Sequence, residues 1–533
     1  MKQNFRSWQD KLRNSPRISR IGTNFISFNS CKFVQFVAKK TNCATPVKKK
    51  LVCILQTAIW AILWTTLAIG VGFFFLHTSQ ALQARIPLDY GEGPLLNQAR
   101  WLAEGRPIYR ADINDYPFTI SNYPPLYPLA VSLTGRYLGF SYETGRIVSI
   151  VATLGCGLAL MLIVLQTTGD RIASLVTGAL FFSFPYVIFW GSLGRVDMLA
   201  LAFSLWGIWA VIRWPNSLAG TGVSLLFLLA AMFTRQSYFL AAPLAVVVHL
   251  ATGNWRRALF FALALGISVL AIGGILCWRT EGGFFIHTIV ANANTFMPSS
   301  VLSAWLVATI VYAPLIVVIF WEFLHYARQP EKRPWFAIAY LMGGTLSGLT
   351  VGKVGSNVNY LLEWLAAMGL LAGIALARWR RELSQALCSL LLLTLSFQIL
   401  WSLHWGQFVT LQVWTRRALE PEMQQLEEIV CSAPGPVLAD EMMSLLVVCG
   451  RDIFLQPFEF TRLAVEGRWD QTRVVEDIQS GKFRLILITS VSLTDGAKGR
   501  WTPEMWAAIQ EHYEPVTVLA ATTVYAVRAG GTR

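Results

Sequence analysis

The sequence predicts an α-helical polytopic membrane protein of about eleven transmembrane helices, with a small extracytoplasmic α/β domain at its C-terminal end. Three observations carry that prediction. The 533 residues are 54% hydrophobic and 14% charged, against about 25% charged in ordinary soluble domains. Eleven apolar runs separate basic clusters that alternate as a membrane topology requires. Beyond residue 405 the runs shorten, charges become frequent and strand patterns begin.

Residues 1–50 hold twelve Lys/Arg and one acid, Asp10, so +11 of the net +14 lies in this tail and the other 483 residues contribute +3. The basic balance therefore describes a tail drawn to anionic lipid, not a nucleic-acid surface. Lys48-Lys49-Lys50 abut the first apolar run and place the N-terminus in the cytoplasm. That run, residues 51–77, is longer than a signal-peptide core and reads as a retained first span.

The other runs cover residues 145–166, 172–190, 196–213, 218–233, 237–251, 257–278, 301–324, 335–351, 357–377 and 384–405. Starting inside, the alternation puts Asp170-Arg171, Arg213, Arg256-Arg257, Arg328 to Arg333 and Arg378 to Arg381 on the cytoplasmic face. A miscounted span would reverse half of them.

Residues 78–144 form a large first outer loop. It begins with Leu88-Asp89-Tyr90-Gly91-Glu92-Gly93-Pro94, continues through a helical pattern from Leu95 to Glu104, and carries Asp112 and Asp115. The stretch from Leu126 to Phe140 is too short and too interrupted for a span and reads as a helix at the interface. In the outer segment 406–533, Pro436 to Ala439 and Phe483 to Ile488 read as buried strands. Glu459 to Glu466, Gln471 to Ser480 and Pro503 to His512 read as helices, and Val516 to Val527 as a closing strand pair. Of the eight cysteines only Cys431 and Cys449 fall together in a polar region, either as a disulfide or as two free buried thiols.

Ionisable groups at membrane depth default to functional readings. On the outer side they are Asp89, Glu92, Asp112, Asp115, Arg195, Asp197, Arg235, His287, Lys353 and Glu363. Asp89 and Glu92 suit a general base and its partner, or metal ligands, and Gly91 and Gly93 let a ligand approach the backbone. Asp112 and Asp115 read equally as solvated turn residues. Arg195 and Asp197 open a span and either serve a site or neutralise each other. Arg235 and Lys353 suit phosphate, the first by its fork geometry. Asn359, Tyr360 and Glu363 follow Lys353 at helical spacing and face the same cavity, while His287, with Asn292 and Asn294, lies in an outer loop. No zinc cluster, Walker loop, nucleophile elbow or dinucleotide fingerprint is present; a divalent cation on the paired carboxylates is permitted but not required.

Taken together, several elements resemble bacterial C-type glycosyltransferases of the protein O-mannosyltransferase-like and aminoarabinose-transferase-like kind. They are the acidic motif opening the first outer loop, Tyr123-Pro124-Pro125-Leu126-Tyr127-Pro128-Leu129, the span start Arg195 to Ala200, Thr234-Arg235-Gln236-Ser237, and Lys353 to Glu363. The resemblance covers residues 51–405. It implies inverting transfer of a sugar from a polyprenyl-phosphate donor to a protein, lipid or glycan acceptor at the outer face of a bacterial plasma membrane. It also implies Asp89 as catalytic base and Arg235 and Lys353 as holders of the donor phosphate. Several relatives have adjacent Asp-Glu where this sequence has Asp89-Tyr90-Gly91-Glu92, which leaves Glu92 without a direct counterpart. The rival from another class is a transporter or flippase of lipid-linked saccharides, and a third reading is a non-catalytic membrane scaffold.

Overall fold

The computed structural model describes residues 46–494 and 499–528. The basic tail lies almost wholly outside the described residues. A unit boundary falls at Ala61/Ile62, and residues 62 onward are described by themselves.

A helix underlies every one of the eleven apolar runs, but they are not eleven uniform rods. Seven are long and apolar enough to cross a membrane, and the bent pair Pro298–Val311 and Ala313–Arg328 makes an eighth if counted as one span. The bend of 85° has a local cause. Pro314 has no N–H to give to the carbonyl of Ile310. The indole of Trp401 donates to that carbonyl instead, at 2.6 Å, and the buried Gln398 amide donates to Val311 O (3.1 Å) while accepting from Leu315 N–H (2.9 Å). The run expected at 172–190 likewise divides, into helices Arg171–Phe182 and Pro185–Trp190, with Pro185 opening the second. Helices Asp197–Arg213 and Leu218–Thr234 are 17 residues each, short for a span.

The first loop carries two helices, Glu92–Ala103 and Leu126–Leu138, close to the positions its patterning suggests. In the C-terminal segment four strands form one sheet in the order β1-β2-β4-β3: β1 Val437–Ala439, β2 Leu485–Thr489, β3 Tyr513–Leu519 and β4 Thr522–Val527. β1 and β2 are parallel, with Leu438 opposite Ile486, and the other pairings are antiparallel. Cys431 and Cys449 are joined in a disulfide, so the alternative of two free thiols is set aside.

The apolar core of this segment is not self-contained. Phe118 and Ile120 from the first loop and Ala291 from the loop after helix Trp255–Arg279 are buried in it beside Leu455, Phe460 and Trp469. Backbone bonds fasten the junction, Phe118 N–H to Phe454 O at 2.8 Å and Gln456 N–H to Phe118 O at 2.9 Å. A second junction lies at helix Glu92–Ala103, where Asp452 accepts from Trp101 Nε1 (3.1 Å) and Arg106 Nη2 (2.9 Å) and pairs with Arg100. At Gly93 a Cβ would stand 2.5 Å from the backbone nitrogen of Ser444, so only glycine allows that approach.

Candidate active site

The chain leaves its first helix at Gln83 and turns at Asp89 before helix Glu92–Ala103. The turn is closed by Glu92 N–H donating to Asp89 O (3.2 Å) and Gly91 N–H donating to Asp89 Oδ1 (2.9 Å). Arg195 Nη1 pairs with the same Oδ1 at 2.9 Å, and Arg195 Nη2 donates to the Tyr123 hydroxyl at 3.1 Å. Among the described residues Asp89 Oδ2 has no hydrogen-bond partner, and the side chain keeps 22% of its surface exposed. The result is a carboxylate held at one oxygen and open at the other.

Glu92 is different in kind. It is 5% exposed and both its oxygens are engaged. Arg146 grips them bidentately, Nε to Oε1 at 2.9 Å and Nη2 to Oε2 at 2.8 Å, and the N–H groups of Gly194 and Leu88 donate to the same two oxygens at 2.9 Å each. The other N–H groups of Arg146 cap the carbonyls of Ala81, Ala84 and Ile86 at 2.6–2.7 Å, so all five of its donors are in use. Burial raises the cost of ionising Glu92, but Arg146 and the two backbone N–H groups outweigh it and hold the carboxyl below its ordinary value. Glu92 therefore ties the end of the first helix, its loop, helix Tyr142–Thr168 and Gly194 together, with no oxygen free for a substrate or a metal.

Arg195 and Asp197 do not simply neutralise each other; they approach only to 3.9 Å. The main partner of Asp197 is Arg235, and Asp197 Oδ1 also accepts from Asn359 Nδ2 at 2.9 Å. The Arg235 guanidinium lies 4.1 Å from the centre of the Tyr360 ring. Its Nε and Nη2, with Asp197 Oδ2 and Asn359 Oδ1, are buried without a hydrogen-bond partner among the described residues. A small cavity lined by Arg235, Tyr238, Asn359, Tyr360 and Glu363 adjoins them, and Glu363 Oε1 accepts from Ser204 Oγ at 3.3 Å.

Lys353 hydrogen-bonds Asn292 Oδ1 and has no carboxylate partner among the described residues. Burial, and then the nearby Arg235, lower its ammonium from the ordinary value. Asn292 passes the chain on, its Nδ2 donating to Asn122 O at 3.1 Å.

Above these groups opens a cleft whose empty space, open mouth included, is about 670 Å³. Tyr90, Asn122, Tyr123, Arg195, Asn292, Lys353 and Tyr360 line it from the membrane part, and Phe458 and Glu459 from the C-terminal segment. Glu459 accepts from the Tyr90 hydroxyl (2.5 Å) and Asn122 Nδ2 (3.2 Å), and burial pushes its carboxyl above the ordinary value.

The structure thus brings Arg195, Lys353 and Tyr360 to one cleft, places Asp89 behind Arg195, and puts Arg235, Asn359 and Glu363 around the adjoining cavity that shares Tyr360. His287 is not among them. Its Nδ1 accepts from Ser121 N–H (2.9 Å) and its Nε2 faces Arg110 O (3.0 Å), and burial lowers its pKa to about 4. It braces two loops as a neutral imidazole. Asp112 and Asp115 are exposed turn acids, the second paired with Arg473. No three His, Cys, Asp or Glu side chains converge as a metal-binding group among the described residues.

Sequence reasoning missed Arg146, Asn122, Tyr123 and Glu459. The first three carried signals, an arginine one turn into an apolar run and the Asn-Tyr-Pro-Pro element. Glu459 carried none.

No protein-family model matches the sequence, and no curated protein matches it. Solved structures do. ArnT from Cupriavidus metallidurans bound to undecaprenyl phosphate is 14% identical with a TM-score of 0.60, over 89% of this chain and 99% of that one. The archaeal oligosaccharyltransferase AglB from Archaeoglobus fulgidus, in complex with an inhibitory peptide and a dolichol-phosphate, is 11% identical with a TM-score of 0.51, over 88% of this chain and 74% of that one. The fold implied by the sequence resemblance is the fold observed.

Proposed function

We propose that the chain is an integral-membrane glycosyltransferase that moves a sugar from a polyprenyl-phosphate donor to an acceptor at the outer membrane face, with Asp89 as general base. The observation that carries this reading is the pairing of a half-open carboxylate with a cleft that presents Arg195 and Lys353, beside Arg235 in the adjoining cavity. Among the described residues Asp89 keeps Oδ2 open behind Arg195, Lys353 lacks a carboxylate partner, and Arg235 retains buried N–H groups without hydrogen-bond partners.

In the reaction the acceptor hydroxyl gives its proton to Asp89 Oδ2 as its oxygen attacks the anomeric carbon of the donor. The bond from that carbon to the phosphate oxygen breaks, and the polyprenyl phosphate departs with added negative charge. Displacement from the opposite side inverts the anomeric configuration. Arg195 holds Asp89 correctly turned, and Lys353 with Arg235 stabilises the departing phosphate. Glu92 acts at one remove, by holding the loop.

Support comes from the fold. One structural neighbour is described as bound to undecaprenyl phosphate and another as in complex with a dolichol-phosphate and an inhibitory peptide. The Cys431–Cys449 disulfide supports an oxidising, extracytoplasmic setting for the C-terminal segment. The test is transfer of label from polyprenyl-phosphate-linked sugars in membranes carrying the folded chain. Asp89→Asn is expected to lower transfer by about 10²–10⁴-fold, the usual worth of a general base, without loss of protein. Near-wild-type transfer by this variant removes Asp89 from the mechanism.

A further inference from the structure

The cleft has two chemically different ends. Its membrane-side walls present the cations Arg195 and Lys353, whereas the helix Pro457–Val465 of the C-terminal segment presents a carboxylate, Glu459. A cation stands nearby, but Arg500 is paired with Glu441, its Nε donating to Glu441 Oε1 at 2.8 Å, and stacks over the Tyr90 and Phe458 rings at 5.0 and 4.9 Å. Among the described residues Glu459 has no ion-pair partner. Its hydrogen bonds from Tyr90, Asn122 and its own backbone N–H leave about one of the roughly four acceptor positions of an ionised carboxylate open. Beside it Asn122 Oδ1 is buried with no hydrogen-bond partner among the described residues.

A surface whose open positions are all acceptors calls for donors. A phosphate or carboxylate there would meet like charge, and a hydroxyl or ammonium would complete the bonding. We propose that this face of the cleft is an acceptor subsite, in which the Glu459 carboxylate and the Asn122 side-chain carbonyl take hydroxyl or ammonium groups of an acceptor that carries no anionic group at that position. The proposal rests on the glycosyl-transfer reading and adds the acceptor's charge class. Tyr90 links the two functions, because its hydroxyl donates to Glu459 while its neighbour Asp89 is the base.

The test uses purified full-length protein with undecaprenyl phosphate bound, and measures binding of glucosamine, N-acetylglucosamine and glucosamine 6-phosphate. The expected order is glucosamine, then N-acetylglucosamine, with the phosphorylated sugar weakest. Glu459→Gln is expected to weaken glucosamine about tenfold and to narrow its advantage over the 6-phosphate, a change the size of one charge-assisted hydrogen bond. Glu459→Asp keeps the order. Equal glucosamine binding by wild type and Glu459→Gln, or no selectivity against the phosphate in wild type, overturns the subsite. A third arm compares undecaprenyl phosphate glucose with undecaprenyl phosphate. If Glu459→Gln alters that ratio, the carboxylate serves the donor sugar and the acceptor assignment falls. Unchanged undecaprenyl phosphate binding shows that the variants are folded. Failure of wild type to bind undecaprenyl phosphate would count against the glycosyl-transfer reading, separately from the subsite.

Discussion

At Gly91 a single methyl group decides whether Arg195 reaches Asp89. A Cβ built there would lie 1.3 Å from Arg195 Nη1, so the guanidinium passes directly over that backbone. Gly91→Ala is expected to displace Arg195 and cut label transfer at least tenfold, while overpacking lowers stability by about 1–3 kcal/mol. Transfer assays and thermal unfolding in detergent check both. The Glu92–Arg146 pair makes the complementary case. Arg146→Met leaves a buried carboxylate uncompensated, at a cost of about 3–5 kcal/mol, and removing Glu92 as well is expected to recover much of it. The pH dependence has a definite sign. Because the folded state holds the Glu92 carboxyl below its ordinary value, its stabilisation is present above the unfolded pKa and is lost as pH falls through the folded one. Unfolding midpoints of wild type and Glu92→Gln should therefore converge on acidification below about pH 4. A gap that stays constant with pH would contradict this.

At the scale of elements, the devices that aim the site are breaks rather than rods. Asp197 opens the short helix Asp197–Arg213, and Arg235 caps helix Leu218–Thr234 with extended backbone. Lys353 follows a 3₁₀ turn, Leu349–Gly352, and pairs as an isolated bridge with Phe296. Each break frees backbone polar groups that a lipid-facing segment could not carry, which suits a position around a cavity. The disulfide belongs to this scale too, since it ties helix Glu420–Ser432 to the end of helix Met443–Val448, which packs on the loop helix Glu92–Ala103. Cys431→Ser or a reductant is expected to lower stability by about 2–4 kcal/mol, read as a fall in unfolding midpoint. An unchanged midpoint would show that the bridge constrains little.

Across residues 62–533, the C-terminal segment and the loops share one core. Phe118 is fully buried against Phe460 and Trp469, with ring centroids at 5.7 and 5.0 Å. Residues 406–533 produced alone are therefore expected to expose this apolar face, bind a hydrophobic dye and show no cooperative unfolding. Cooperative unfolding of the isolated segment would mean that the shared core is dispensable. The sharing also explains why Glu459 was invisible in the sequence. It reaches Tyr90 across 369 positions, and no local pattern encodes a contact between segments so far apart.

What the sequence by itself determined was whatever depends on solvent preference along a short stretch. The apolar runs, the polar loop with its two helices and most strands and helices of the C-terminal segment were all readable, because burial in lipid or core imposes a periodicity on neighbouring residues. The candidate charges were readable because ionisable groups beside apolar runs are costly and stand out. Only the tertiary structure decided how those charges pair. Asp89 and Glu92 look alike in sequence, three residues apart, yet one meets Arg195 with an oxygen to spare and the other is consumed by Arg146. His287 reads as a site residue and lies outside the cleft, bonded to Ser121 and Arg110, while Glu459 reads as nothing and lines the cleft. The physical reason is that a carboxylate's role follows from which donors surround it in space, and those donors come from helices that only packing brings together.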